Sequence, residues 1–586
     1  MCWFARSFML LGLVGFLIAE CNIATAEIRP EFAMDSDPKL IIPNPIMRFS
    51  KKYKPLWFEA LARPEADLQR LAAETIAQAH IVGVPEMNDA RATLLKIVTA
   101  EKSHLAARIA AARALIVLDA HEESQALFDS SQMHGADLQQ IIEPALAHWK
   151  FEPIRAVWVK RLDAPKTRHR ELMLAINGLG EAGDETALPK LLGLTADSLR
   201  PSSVRLAAAR SAGKLKETGL EVEAKQLTKS NSASIADRLA AVALLERHKS
   251  EAARSVLLQL ARDKEPSVIA AALTQLNAIN HDLVLPLAEE AIANDDVNVR
   301  QQVANAYIAR PTPERIAVLA KLLDDVHPKL RGSIREALFV LAQKPELDSA
   351  VRQTATQVLA GESWRGQEQA TLLLSELDHK PAAPRLVQLL ESSRTEVFIA
   401  AAWGLRKLTV PETLPAMLQK ATQQTDARSK GKSVNGVDEQ VAHLFEAFGL
   451  LKYAPAEILL RQYIPKRLEL GDYSRGAAIW SLGLMRNGVP DEPLATLLVE
   501  RLTEPPVTPS ELIRVRSMSA ISIGRMQAKS QVTRMREYLG PKVEPLLTPL
   551  AIRWSLHQLT GELLPDAEPP ITSRSGWFLE PLDDDP

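Results

Sequence analysis

An all-α fold, a right-handed α-α superhelix of stacked antiparallel helix pairs, is what this sequence predicts, and three observations carry it. Asp237-Arg238-Leu239-Ala240-Ala241, Val268-Ile269-Ala270-Ala271-Ala272, Val299-Arg300-Gln301-Gln302-Val303 and Leu330-Arg331-Gly332-Ser333-Ile334 recur every 31 residues, each opening an apolar helical stretch. One helix pair cannot bury its own apolar face, so a constant interval of this size means pairs that share faces with their neighbours. Stripes of small residues then recur along the chain, at Leu105 to Leu118, Val204 to Gly213, Arg238 to Leu245, Val397 to Leu405, Arg475 to Gly483 and Val515 to Gly524. Alanines there let neighbouring helix backbones approach closely. Composition agrees, because 46% hydrophobic but only 5% aromatic residues suit packed helices better than sheets. An array of pairs grows in one dimension, so 586 residues need not share one compact core.

The elements follow in order. Arg6, the apolar run Phe8 to Ala19 and the small residues Ala24-Thr25-Ala26 read as a signal peptide over residues 1–26, with a mature chain starting at Glu27. The run is too short for a comfortable membrane span. Glu20, where a lipoprotein needs a small residue before Cys21, argues against a lipid anchor. Cleavage removes both Cys2 and Cys21, which excludes disulfides, thiolate zinc, iron–sulfur clusters and covalent haem from the mature protein.

Residues 27–62 form an N-terminal arm. Pro30, Pro38, Pro43, Pro45 and Pro55 oppose a long helix there. Leu40, Ile41, Ile42, Ile46, Phe49, Trp57 and Phe58 are apolar enough to cap the first repeats. Residues 63–562 are the repeats themselves, a dozen to fourteen in number and least regular between His121 and Thr167. Pro189, Pro286, Pro384 and Pro415 precede Leu-rich turns and mark helix starts, where a missing amide costs nothing. Residues 422–437 lack apolar periodicity and read as an inserted loop. Residues 563–586 are proline-rich, end in Asp583-Asp584-Asp585, and read as an extended acidic tail.

An Asp or Pro turn followed by Val-Arg and an alanine-rich second helix, as in Asp296-Val297-Asn298-Val299-Arg300 and Ser203-Val204-Arg205-Leu206-Ala207-Ala208, resembles the HEAT and HEAT-like repeat superfamily. The likeness extends over nearly the whole mature chain. Leu56 to Leu68, with the close Leu559-Thr560-Gly561 followed by Trp577, is similar to the opening and closing segments of exported HEAT proteins of planctomycete-type bacteria. Members of that group are known mainly as architecture, so the resemblance implies no reaction.

Local motifs add no chemistry. Gly178-Leu179-Gly180-Glu181-Ala182-Gly183 spells the dinucleotide pattern, but it follows the helical stretch Arg170 to Ile176 and lies where a repeat should turn between pairs, whereas the motif works only between a strand and a helix. Gly431-Lys432-Ser433 imitates the end of a P-loop, yet Asp426 stands where its first glycine belongs. His121-Glu122-Glu123 has no second histidine at ligand spacing. Lys51-Lys52-Tyr53-Lys54 near Trp57 reads as a solvated basic cluster, with phosphate or glycan contact as its functional alternative.

A net charge of −2 gives no electrostatic reason to expect nucleic acid as a partner. The reading is therefore an exported, non-enzymatic protein-interaction scaffold in the periplasm or outside the cell, with no cofactor, metal or catalytic residue. A HEAT-like enzyme related to bilin lyases and a structural envelope component are the alternatives. The expected contacts lie on second helices: Arg205, Arg238, Gln275, Arg300, Gln301, Asn305, Arg331 and Glu336. For Arg205, Arg238, Arg300 and Arg331 the competing reading is structural, a bond to an acidic residue or carbonyl of an adjacent turn, with Asp296 and Asp325 as suitable acceptors.

Overall fold

A computed structural model describes residues 30–47, 49, 52–229, 233–432, 434–505, 509–572 and 577–579. The signal segment, both cysteines, Lys51, Ser433 and Asp583 to Asp585 lie outside the described residues. Those described form thirty α-helices and one two-residue parallel strand pair, β1 (Ile46–Met47) with β2 (Ile571–Thr572). Among them no helix is long and apolar enough to cross a membrane. The chain divides into two compact units, one of Pro43–Arg310 with Pro569–Pro586 and the other of Met1–Ile42 with Pro311–Glu568.

The first unit holds α1 (Tyr53–Ala62), α2 (Ala66–Ile81), α3 (Arg91–Thr99), α4 (Leu105–Val117), α5 (Ser124–Met133), α6 (Ala136–His148), α7 (Pro153–Asp163) and α8 (His169–Ala182). It continues through α9 (Leu188–Ala196), α10 (Ser202–Leu215), α11 (Glu221–Thr228), α12 (Ile235–Leu244), α13 (Glu251–Leu260), α14 (Pro266–Ile279), α15 (Ala288–Ala291) and α16 (Val297–Ala309). The second unit holds α17 (Pro313–Lys321), α18 (Pro328–Leu341), α19 (Pro345–Ala360), α20 (Trp364–Glu376), α21 (Ala383–Leu389), α22 (Thr395–Leu408) and α23 (Leu414–Ser429). Its remaining helices are α24 (Val437–Leu450), α25 (Glu457–Arg461), α26 (Asp472–Met485), α27 (Glu492–Thr503), α28 (Ile513–Arg525), α29 (Val532–Leu539) and α30 (Leu547–Thr560).

Odd- and even-numbered helices pair, and within each unit every even helix packs on the next even one. Each of the six small-residue stripes falls on an even helix, as the periodicity requires. The stretch from His121 to Thr167 is regular after all, carrying α5, α6 and α7. Its alanine signal is replaced by a buried polar joint, in which Glu143 accepts from Trp158 Nε1 at 2.9 Å and from Arg161 at 2.7 and 2.8 Å.

The glycine motif is helix packing. Gly178 and Gly180 lie inside α8, where an added Cβ would stand 2.7 Å from the Trp158 ring and 2.6 Å from Ser211 Oγ on α10. Gly183 ends the helix at φ +71°, a conformation that side chains with a Cβ disfavour. The same close approach recurs between even helices of the second unit: Gly449 on Ser481, Gly483 on Ser522 and Gly524 on Ser555. Gly483→Ala is therefore expected to destabilise by about 1–3 kcal/mol, because its Cβ would sit within overlap distance of a neighbouring backbone. Gly193→Ala, on the exposed side of α9 with nothing within 4 Å, is expected to stabilise by about 0.5–1 kcal/mol. Opposite signs in paired urea titrations check the register of the stack.

Three boundaries differ from the sequence reading. Helix α23 runs on through Ser429, so the loop expected over 422–437 shrinks to the residues before α24. Periodicity missed it because α23 buries polar side chains: Lys420 pairs with Glu391 at 2.6 Å, Thr425 meets Tyr463 Oη at 2.7 Å, and Arg428 reaches Ser474 at 3.2 Å. The tail is only partly free. Trp577 packs 5.2 Å from the Trp57 ring, Phe49 joins the same cluster, and Trp57 Nε1 donates to the Phe578 carbonyl. The arm also splits, since Trp57 is buried at the start of the first unit while Ile41, Ile42 and Ile46 are exposed, and residues 30–42 pack in the second unit.

Candidate functional site

The even helices α22, α24, α26 and α28 hold the segment Glu31 to Asp37. Each contributes side chains from one face. On α26, Tyr473, Gly476 and Trp480 follow helical spacing and so line a single stripe, as do His443 and Glu446 on α24. Arg514 and Arg525 stand three turns apart on α28 and likewise face the same way.

Four of these groups read the backbone of the segment. Arg406 on α22 donates to the Glu31 carbonyl at 2.6 Å, and Glu446 accepts the Met34 amide at 2.8 Å. Trp480 Nε1 and Arg525 both donate to the Asp37 carbonyl, at 2.6 and 3.1 Å. Side chains supply the rest. Phe32 stacks between His443 and Tyr473, with ring centroids 4.4 and 4.7 Å away. Met34 is buried beside Gly476, and Ala33 to Asp35 form one 3₁₀ turn. Arg514 bridges Asp35 and Asp472 while lying over the Tyr473 ring, and Arg525 pairs with the Asp37 carboxylate at 2.7 Å.

Beneath the segment, Arg406 and Glu446 form a buried ion pair at 2.9 Å. Burial pushes His443 below the ordinary histidine range, the Arg406 charge adds to this, and Glu446 opposes it. The ring is thus neutral at physiological pH and serves Phe32 as an aromatic platform. Burial also lowers Arg525 from its usual value, against the pull of Asp37.

The residues expected from sequence are placed differently. Arg205, Arg238, Arg300 and Arg331 are turned into the joints of the stack. Arg205 bonds the Thr195 carbonyl at 3.0 Å and the Asp237 carboxylate, and Arg238 meets Asp263 at 2.8 Å. Arg300 donates to the Asn294 and Asp295 carbonyls, both at 2.8 Å, and Arg331 to the Asp325 carbonyl at 2.7 Å. Asp296 uses its carboxylate to cap α16 through the Asn298 amide. Gln275, Gln301 and Asn305 are half-buried in the first unit, Gln301 donating to Asn305 at 2.9 Å. Glu336 is half-buried in the second unit, 3.7 Å from Arg335. Lys54, from the basic cluster near Trp57, is held by Glu86 and Asp89 at 2.9 and 2.6 Å.

The groove on α22 to α28 was missed by sequence reasoning. Its signal was present: His443, Glu446, Tyr473 and Trp480 interrupt helices otherwise rich in small residues.

Comparison with known proteins agrees with the architecture. Residues 224–306 match the family model described as HEAT repeats, the stretch in which the regular interval is clearest. No curated protein sequence matches the chain. A Kap95p–RanGDP structure superposes with a TM-score of 0.51 at 13% identity, over 88% of this chain and 73% of that one. A structure of yeast importin-beta gives 0.43 at 13% identity, covering 88% and 73%, and another of importin beta gives 0.46 at 14%, covering 86% and 72%. At these identities the likeness is one of fold. Residues 224–306 match the HEAT-repeat model, and the helix pairs stacked within each unit have a HEAT-type α-solenoid fold.

Proposed function

We propose that the chain is an exported, non-enzymatic scaffold that binds a protein partner along its second helices, in the periplasm or outside the cell. One observation carries the reading. The even helices α22 to α28 already grip a short stretch of polypeptide, built around one 3₁₀ turn, through its backbone groups and side chains. Stacked helices suit this task because successive pairs offer regularly spaced contacts to an extended chain. Kap95p, whose fold is similar, binds RanGDP, which fits a protein as the ligand class. Gln275, Gln301, Asn305 and Glu336 are proposed as additional contacts on second helices, whereas the four arginines act through the joints they hold.

Cross-linking mass spectrometry on the native protein in envelope fractions tests this directly. Partner cross-links are expected at residues flanking the second helices. Cross-links confined to the loop between α23 and α24, or to odd helices, would contradict it. Export has its own check: intact-mass analysis should find a mature chain beginning at Glu27 and carrying no lipid. An acylated Cys21 at the N-terminus would overturn that part.

A further inference from the structure

The segment Glu31 to Asp37 is held as a ligand is held. Its backbone contacts, at the carbonyls of residues 31 and 37 and the amide of residue 34, are ones any peptide that takes the same 3₁₀ turn can offer. Only Met34 is buried, Phe32 and Ala33 are partly covered, and Glu31, Asp35, Ser36 and Asp37 remain exposed. A segment built into the core would bury more of itself. Beyond residue 38, Leu40 is half-buried while Lys39, Ile41 and Ile42 are exposed.

The groove also holds polar capacity that the segment leaves unused. Arg525 Nη1 and Arg406 Nε are buried and make no hydrogen bond among the described residues, while the buried His443 ring has Glu446 beside it at 3.5 Å. Buried donors without acceptors are costly, which marks the segment as an incomplete match to its site. Charge points the same way. Arg514 and Arg525 meet Asp35 and Asp37, while Glu31 to Asp37 contains three acidic residues and no basic one.

Resting on the scaffold reading above, we propose that residues 31–37 are a tethered competitor occupying a peptide-recognition groove on α22 to α28. The partner that displaces them presents an acidic segment able to take the same 3₁₀ turn, with an aromatic residue at the Phe32 position, an apolar one two residues on, and carboxylates three and five residues on. The tether sets the threshold. A covalently attached weak ligand acts at a high effective concentration, so a partner must bind more tightly or offer further contacts to enter. His443 and Tyr473 select the aromatic ring, Gly476 leaves room for the apolar side chain beside Arg514, and the two arginines select acid.

Fluorescence anisotropy with a labelled peptide of residues 28–40 tests the proposal on the full chain. The wild type should bind it weakly, because its own segment fills the groove. A Phe32→Ser/Asp35→Lys double variant, which loosens the tethered copy, should bind the same peptide at least roughly tenfold more tightly, since apparent affinity scales with the fraction of open groove. Adding Arg514→Glu to that variant should abolish binding, and adding Trp480→Phe, which removes the indole N–H together with part of the buried ring, should weaken it severalfold. Unchanged melting curves keep these variants interpretable. Equal affinity in the wild type and the loosened variant would overturn the competitor, and no binding to the loosened, folded variant would overturn the groove. The assay uses the chain's own peptide, so it succeeds or fails independently of whether envelope cross-links identify a partner.

Discussion

Glu511→Ala is expected to destabilise the second unit by about 3–5 kcal/mol, the cost of leaving a buried guanidinium without its counter-ion. Arg475 and Glu511 are fully buried and paired through two bonds, at 2.7 and 2.9 Å. Arg475 also donates to the Tyr463 carbonyl at 3.2 Å, and Glu511 accepts the Leu512 amide at 2.9 Å. The pair therefore fixes the chain entering α28 against α26 and the turn before it. Burial alone would raise the Glu511 carboxyl, but Arg475, the Leu512 amide and Arg501 together hold it below the usual glutamate range. A carboxyl depressed in the folded state contributes fully above its unfolded value of about 4.3 and loses that contribution as pH falls through the folded value. The difference between wild type and Glu511→Ala should accordingly narrow in acid. Chemical denaturation at pH 7 and pH 3.5 measures both effects, and a gap that is small at pH 7 or unchanged in acid would contradict the assignment.

Ala272→Asp should have an effect of similar size in the first unit, several kcal/mol. Ala272 is fully buried on α14, a helix that packs on its even-numbered neighbours α12 and α16. Glu251→Ala is the matched control, because Glu251 is exposed at the start of α13 and its nearest ion-pair partner, Arg254, is 3.6 Å away. Differential scanning calorimetry should show a large drop for the first substitution and almost none for the second. Equal effects would mean that α14 faces the other way.

Much of this architecture was legible because helix stacking writes itself into sequence at a constant interval. Ala208, Ala272 and Ala401 are buried where even helices touch, as a small-residue stripe predicts. Gly178 and Gly180 were read as part of a turn between pairs, whereas they lie inside α8, where their lack of a side chain admits Trp158 and Ser211. What sequence could not give was contact between segments far apart in the chain. Nothing local in Phe32 or Met34 announces His443, Tyr473 and Gly476 as their neighbours, and Trp577 carries no sign that it packs on Trp57. Polar burial was the other blind spot. Glu143, Lys420 and Arg428 look like surface residues until their partners are known, which is why α6 and α23 were read as irregular. For the arginine ladder, sequence offered both a binding surface and a bond to the adjacent turn, and its donors make the second, closing the joints between turns.

Hydrogen exchange on the full chain measures whether the second helices of the second unit hold the segment Glu31 to Asp37. Met34 donates its amide to buried Glu446, and the Asp35 and Ser36 amides close the turn at 3.3 and 3.1 Å to Phe32 and Ala33. Residues 39–42 are bound by no such set of contacts. Amides of residues 34–36 should therefore exchange roughly tenfold or more slowly than those of residues 39–42, and that protection should disappear in a folded Arg406→Ala/Arg514→Ala variant. Equal, fast exchange across residues 31–42 in the wild type would contradict it.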